Sequence, residues 1–434
     1  MTGLAPSAAR FSSLQHRNFR LLWTGQIVSN VGTWMQNVGS GWLILQLTNS
    51  PLWLGLLGLS FALPMIVLPP IGGAVVDRVD RVRLLYITQS CQMLNAFVLA
   101  GATFSGVVSV GHILAASFVG ASFLAFDNPA RNALIPNVVP PRDLMNALSL
   151  NGAIYSGAAL VGPALAGALL APLGAAPLFF INGISFFAML AALHSMTGVP
   201  TRGGAPRVSM ALALAAGLRY AWRDRTQRLL LVLFAVTALF GRFHQGLLPI
   251  FARDLWQDRP QGYGLLLSSS GAGALVGAFG LAYLKELQRR ERALLLSGLA
   301  FSLSLVLFAV SPSLYLGALF LFLFLAGVAA TVFATLVATI IQLATPNELR
   351  GRVMSLYTVC MIGLPALGAL ASGTVAELLG GIPGAPRAVL LGALLMGVVL
   401  IAYAPALWQG ALDGLNKQET VDLIDASILA GDAE

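Results

Sequence analysis

The chain has 434 residues, of which 25 are Lys or Arg, 17 are Asp or Glu, and 57% are hydrophobic. A charged fraction of 10%, against about 25% in an ordinary soluble domain, leaves too few charges to cover a soluble surface of this size. It also excludes intrinsic disorder, which needs high charge and low hydrophobicity. The formal net charge of +8 poses a choice between nucleic-acid binding and loop charge that sets membrane topology. The two cysteines, Cys91 and Cys360, sit in apolar runs and form neither a disulfide framework nor a metal-ligand spacing.

A bilayer-spanning helix needs roughly 20 apolar residues. The apolar runs predict twelve such helices, over about 21–47, 52–76, 84–106, 110–126, 144–170, 174–198, 229–251, 262–284, 293–311, 313–344, 353–376 and 388–408. The expected fold is all-α. The first run is too long for a signal-peptide core and reads as a retained span. One formal charge falls inside these windows, Arg242. With the N-terminus placed in the cytoplasm, 21 of the 25 basic residues fall in cytoplasmic segments; Arg253, Arg259 and Arg387 fall outside. The positive-inside rule therefore predicts both termini in the cytoplasm. It accounts for the high isoelectric point, so no nucleic-acid partner is expected.

In chain order, residues 1–20 form a cytoplasmic segment and 21–198 a first six-helix bundle. Residues 199–228 form a cytoplasmic linker, and 229–408 a second six-helix bundle. Residues 409–434 form a cytoplasmic tail. In the linker, Met210, Leu214, Leu218 and Trp222 recur every four residues beside Arg219, Arg223 and Arg225, the pattern of a helix lying on a membrane surface. The two halves echo each other. Pro51-Leu-Trp-Leu-Gly-Leu-Leu matches Pro260-Gln-Gly-Tyr-Gly-Leu-Leu, Pro141-Arg-Asp-Leu matches Pro346-Asn-Glu-Leu, and Gly162-Pro-Ala-Leu matches Leu364-Pro-Ala-Leu. Parallel six-helix repeats suit a transporter with two moving parts.

Between the second and third spans stands Gly73-Ala-Val-Val-Asp77-Arg78-Val-Asp80-Arg81-Val-Arg83. It resembles motif A of the major facilitator superfamily, Gly-x-x-x-Asp-Arg-x-Gly-Arg-Lys/Arg, with Asp80 in place of the second glycine. In physical terms, Gly73 permits a close helix crossing and Asp77 suits the partial positive charge of a helix N-terminus. Arg81 stands four residues on, within reach of that carboxylate and of Asp127 at the end of span four. Such a cluster would latch a cytoplasmic gate; plain loop charge is the alternative. In span five, Ala158-Ala-Leu-Val-Gly162-Pro163-Ala-Leu-Ala166-Gly167 resembles motif C, which in the superfamily goes with exporters. Asn30-Val-Gly-Thr-Trp34-Met-Gln36, Asp127-Asn-Pro-Ala-Arg131 and Asn347-Glu-Leu-Arg350-Gly-Arg352 are similar to the enterobactin-exporter-like, drug-efflux branch. The resemblance covers about residues 14–408.

It implies a secondary transporter that exports amphipathic small molecules by alternating access: a drug, siderophore or lipid-like metabolite. Residence in a plasma (inner) membrane as a monomer follows from it. Proton coupling has little support from the residues, because no acid falls inside a predicted span; Asp77, Asp127 and Glu377 at span edges are the nearest. A non-transporting sensor or scaffold, and an importer or facilitator of an anionic metabolite, stay open.

Arg242 and His244 are expected to line the substrate cavity, with Gln36, Asn37, Asn151, Tyr155 and Asn182. An arginine at that depth costs a few kcal/mol unless it meets water or a partner, and guanidinium suits carboxylate or phosphate. The alternative for Arg242 is snorkelling to the outer interface or bonding to helix carbonyls, for His244 a satisfied histidine within the bundle, and for the others interhelical hydrogen bonding. No catalytic residue, metal or cofactor is expected. Neither lysine lies in a phosphate-binding Gly-x-x-x-x-Gly-Lys-Ser/Thr loop, and no polar cluster at one depth would serve an embedded enzyme.

Overall fold

The computed structural model describes residues 11–76, 78–198, 218–255, 260–283, 289–311 and 316–408. Among the described residues the chain is helical, with no β-strand. The helices are α1 (Arg17–Thr48), α2 (Pro51–Val67), α3 (Pro69–Val76), α4 (Arg81–Phe104), α5 (Val110–Val138), α6 (Leu144–Leu173) and α7 (Ala175–Ser195). Then follow α8 (Arg225–Phe240), α9 (Phe243–Leu255), α10 (Pro260–Tyr283), α11 (Arg290–Val310), α12 (Leu316–Ala344), α13 (Asn347–Leu378) and α14 (Ala385–Trp408). Nine spans among the described residues are long and apolar enough to cross a membrane. They do not include α1 and α4, which run 32 and 24 residues, or α2, which has 17.

Local chemistry explains the boundaries. α1 ends where Asn49 turns left-handed at φ 53, a conformation asparagine tolerates. Ser50 and Pro51 then open α2, proline supplying the φ that a first helical turn requires. The run expected over 52–76 is two helices, because Leu68 precedes Pro69-Pro70 and the second proline has no N–H to continue the ladder. Asp80, the residue that departs from motif A, is the N-cap of α4: its Oδ1 accepts the Arg83 backbone N–H at 2.9 Å. Gly174, at φ 76, makes the turn between α6 and α7.

Two further expected spans changed shape. Span four, expected over 110–126, continues as α5 through Pro129 and Pro136 to Val138, so Asp127 lies within a helix and not at its end. Span seven, expected as one helix over 229–251, is broken at Gly241–Arg242 into α8 and α9. Asp77, Met210, Leu214 and the tail 409–434 lie outside the described residues. Leu218 and Trp222 are exposed on a helical stretch over 218–223.

The chain divides into two compact units: Met1–Val208 with Gln245–Gly271 and Ala369–Ala385, and Ser209–His244 with Ala272–Gly368 and Pro386–Glu434. In the first, α1 packs on α6 and α7, and α4 on α5 and α7. Its core near the basic loops holds Phe19, Leu22, Leu85, Leu134, Ile135 and Met189. In the second, α11 packs along α12 over a core that includes Leu233, Leu294, Phe333, Val337 and Leu400. Lipid is as apolar as leucine, so helices in a bilayer associate by close packing rather than by hydrophobic expulsion. Gly25 shows this: a Cβ there would stand 3.0 Å from the Ala192 Cβ and 3.1 Å from the Met189 Cα.

Candidate functional site

The residues of motif A separate into a loop and a buried cluster. Gly73 falls in α3, and Arg78 is exposed in the turn that follows. Arg81 is buried at the start of α4, and its Nη1 donates to the Ala133 carbonyl at 2.9 Å. The expected Arg81–Asp127 pair is replaced by another. Asp127 accepts from Arg131, one turn along the same helix, from Thr88 Oγ1 at 3.0 Å and from Gln89 Nε2 at 2.7 Å. Asp127 is 0% and Arg131 4% exposed. The physical reason is reach. Positions i and i+4 are neighbours on a helix, and burying both charges together is less costly than burying either alone. Thr88 and Gln89 were not singled out from the sequence, and Arg131 entered only through the Asp127-Asn-Pro-Ala-Arg131 stretch; its Asp-x-x-x-Arg spacing inside a longer helix was the available signal for the pair.

Motif C forms the middle of a three-helix contact. A Cβ on Gly162 would stand 3.1 Å from the Val31 carbonyl and would collide with Trp34, so α6 crosses α1 there. On the next turn, a Cβ on Gly167 would lie 3.0 Å from the Gly264 Cα and 3.1 Å from the Gln261 carbonyl of α10. A Cβ on Gly264 would overlap the Pro163 carbonyl. Further along the seam, Ser268 Oγ donates to the Leu160 carbonyl at 2.8 Å, and a Cβ on Gly271 would come within 2.9 Å of the Ala159 carbonyl. Gly264, Ser268 and Gly271 thus present one small-residue face to α6.

A second seam in the same unit joins α2 to the end of α13. A Cβ on Gly55 would stand 2.8 Å from the Ala369 carbonyl, and one on Gly58 2.9 Å from the Ala369 Cβ. Ser50 Oγ donates to Glu377 Oε2 at 2.7 Å. Gly55 and Gly264 each stand four residues after the proline that opens the helix, so the repeat places equivalent glycines in the two seams. Following the helices from α1, both seams lie at the end away from Arg17, Arg20, Arg81 and Arg83.

The expected cavity residues divide. Asn182 is buried, and its Nδ2 donates to Gln36 Oε1 at 2.7 Å, so this pair joins α1 to α7. Asn37 is exposed on α1. Asn151 is half-buried on α6, Tyr155 is exposed there with Met145 and Leu148, and Tyr155 donates to Asn128 Oδ1 at 3.3 Å. In the second unit, Arg242 is half-buried at the α8–α9 break. No described carboxylate lies within ion-pair distance of it. Tyr357, in the same unit, stacks on Phe234 with ring centroids 4.3 Å apart and donates its hydroxyl to the Ala334 carbonyl at 3.1 Å. Tyr357 was missed in the sequence reading. His244 is 2% exposed, its Nδ1 hydrogen-bonded to the Gly241 carbonyl at 2.8 Å and its ring edge-on to Phe308. Nδ1 is the donor in that contact, and the bond ties down a carbonyl that the helix break would leave orphaned. No group of three or more His, Cys, Asp or Glu among the described residues is placed to hold a metal.

The chain is similar to known transporters over most of its length. The profile of the transmembrane secretion effector family matches residues 8–422. The multidrug efflux pump Tap of Mycolicibacterium fortuitum is 25% identical over 394 residues, 88% of this chain and 94% of that protein. The enterobactin exporter EntS of Shigella boydii is 26% identical over 392 residues, 89% of this chain and 91% of that one. Among solved structures, the nucleoside transporter NupG superposes with a TM-score of 0.72 at 15% identity, covering 90% of this chain and 99% of that chain. A bacterial homologue of the iron transporter ferroportin gives a TM-score of 0.70 at 16% identity over 89% and 98%. The chain is a multi-pass membrane transporter, not an enzyme, and belongs to the transmembrane secretion effector family of the major facilitator superfamily.

Proposed function

We propose that the chain is a monomeric secondary exporter of amphipathic small molecules, working by alternating access in a bacterial inner membrane. The observation that carries this reading is the α6–α10 seam, where motif C meets Gly264 with no side chain between the helices. A contact made of backbone and glycine is either closed to within van der Waals distance or open, which suits a two-state gate. The efflux functions in the names of Tap and EntS support the outward direction. In this reading α2 with α3, and α8 with α9, each make one broken span. The count is then twelve, in bundles 21–198 and 229–408 joined by the linker 199–228. Both termini are cytoplasmic and the two seams close the outer side. Gly73, Asp77, Arg78 and Arg81 belong to the inner gate. In this reading the coupling ion is the proton, on the strength of the superfamily resemblance alone.

Arg242 supplies the substrate preference. A half-buried guanidinium with no carboxylate partner among the described residues is set to receive an anionic group. Everted membrane vesicles test the reading. Substrate is expected to accumulate inside them when the lumen is acidified, and to stop accumulating when the pH gradient is collapsed. Uptake unaffected by the gradient would exclude proton coupling, and movement only down the substrate gradient would identify a facilitator. Arg242→Ala is expected to raise KM for anionic substrates roughly tenfold or more, the worth of a charged hydrogen bond, and to leave cationic substrates unchanged. An equal effect on both would remove Arg242 from substrate recognition.

A further inference from the structure

A pocket of about 580 Å³ opens where the start of α4 meets the end of α7, lined by Asp80, Arg83, Tyr86, His194 and Met196 among others. It lies in the first compact unit, at the end opposite the two glycine seams. Its walls are held in place by α1: Arg17 Nη1 donates to the Ser195 carbonyl and Asn18 Nδ2 to the Thr197 carbonyl, both at 2.8 Å. The Asp80 carboxylate is engaged as the α4 N-cap. The Arg83 guanidinium has no hydrogen bond or ion pair with any described residue.

The two helices give the pocket its context. On α4, Ile87, Leu94 and Val98 form an exposed apolar stripe, and Arg83 continues it four residues before Ile87. On α7, Phe180, Ile184 and Phe187 form a matching stripe, and His194 continues it two turns beyond Phe187. Each stripe keeps helical spacing, so each basic residue stands on the lipid-facing side of its helix at the point where the apolar surface ends. An aromatic phenol, Tyr86, lines the same pocket, the kind of ring that is enriched at headgroup depth.

We propose that this pocket binds the phosphodiester headgroup of an anionic phospholipid, with Arg83 as the phosphate ligand and the acyl chains lying on the α4 and α7 stripes. An arginine with no partner among the described residues, set in a preformed hollow, matches phosphate charge and geometry. The apolar stripes match what a lipid has and a soluble phosphate lacks. Basic pockets between membrane helices are a recurrent means of holding such lipids.

Native mass spectrometry of the purified full-length protein tests this, with phosphatidylglycerol, phosphatidylcholine and inorganic phosphate as probes. Phosphatidylglycerol is expected to be retained over phosphatidylcholine and to resist competition by inorganic phosphate. Arg83→Ala is expected to reduce its retention roughly fivefold, the effect of one basic residue at a membrane surface. Arg83→Lys should restore most of the binding, and Arg142→Ala, on an exposed side chain outside the pocket, should leave it unchanged. Equal retention of the two lipids, or full retention by Arg83→Ala, would overturn the site. Displacement by inorganic phosphate would overturn the lipid assignment.

Discussion

Replacing Asp127 with Asn is expected to destabilise the protein by about 3–5 kcal/mol, because it leaves the Arg131 charge buried without a counter-ion. Arg131 is 4% exposed, and its Nε already lacks a hydrogen-bond partner among the described residues. Thr88 Oγ1 and Gln89 Nε2 would still find an oxygen on Asn, so the loss isolates the charge from the hydrogen bonds. The measurement is the midpoint of unfolding in mixed micelles, followed by the helical signal. Asp127→Asn with Arg131→Met should recover most of the loss, since an apolar replacement of a buried pair is often near neutral. An unchanged midpoint in the single variant would show that the pair contributes nothing. A double variant that folds but does not transport would move the pair from structure to mechanism.

Gly264→Val carries the second large effect. Its side chain would occupy the space of the Pro163 carbonyl and the Gly167 Cα, which is backbone and has little room to move. Overpacking of this kind costs roughly 1–3 kcal/mol. A two-state gate with that cost added to its closed form shifts its populations by about fivefold to 150-fold. Transport is expected to fall by a similar factor while the protein still folds, because the strain is relieved when the seam parts. Gly157→Ala supplies the comparison on α6. Its Cβ meets nothing within 4 Å, and alanine favours a helix over glycine by roughly 0.5–1 kcal/mol. That variant should transport normally and unfold slightly later. Equal damage from both substitutions would show that glycine matters for helix flexibility and not for the seam.

Much of this architecture is legible from residues alone, and what is not has a physical cause. Apolar runs mark membrane helices because the bilayer imposes their length, so the all-α membrane class can be read directly; the family is implied by the resemblance of the Gly73–Arg83 and Gly162–Gly167 stretches to its motifs. The inner end of α5 defeats that reading. Asp127 and Arg131 look like the start of a loop, yet they neutralise each other within the helix and allow it to continue to Val138. The α2–α3 break is visible in Pro69-Pro70. The α8–α9 break is not, since Gly241–Arg242 contains no proline and only the His244 ring on the Gly241 carbonyl reveals it. Polar residues in apolar runs are ambiguous for a different reason. Gln36 and Asn182 satisfy each other, whereas Asn37 stays exposed, and spacing cannot tell one from the other. The two seams are encoded in a feature only the repeat exposes: a glycine four residues after the proline that opens α2 and α10.

The account rests on the α6–α10 seam acting as a gate that opens and closes. Spin labels at Leu173 on α6 and Leu265 on α10, both exposed, would report the separation of the two helices in proteoliposomes. The expected result is a short distance at rest, with a second, longer population that grows on adding exported substrate and dominates in Gly264→Val. A single distance, unmoved by substrate, by a pH gradient and by that substitution, would contradict it.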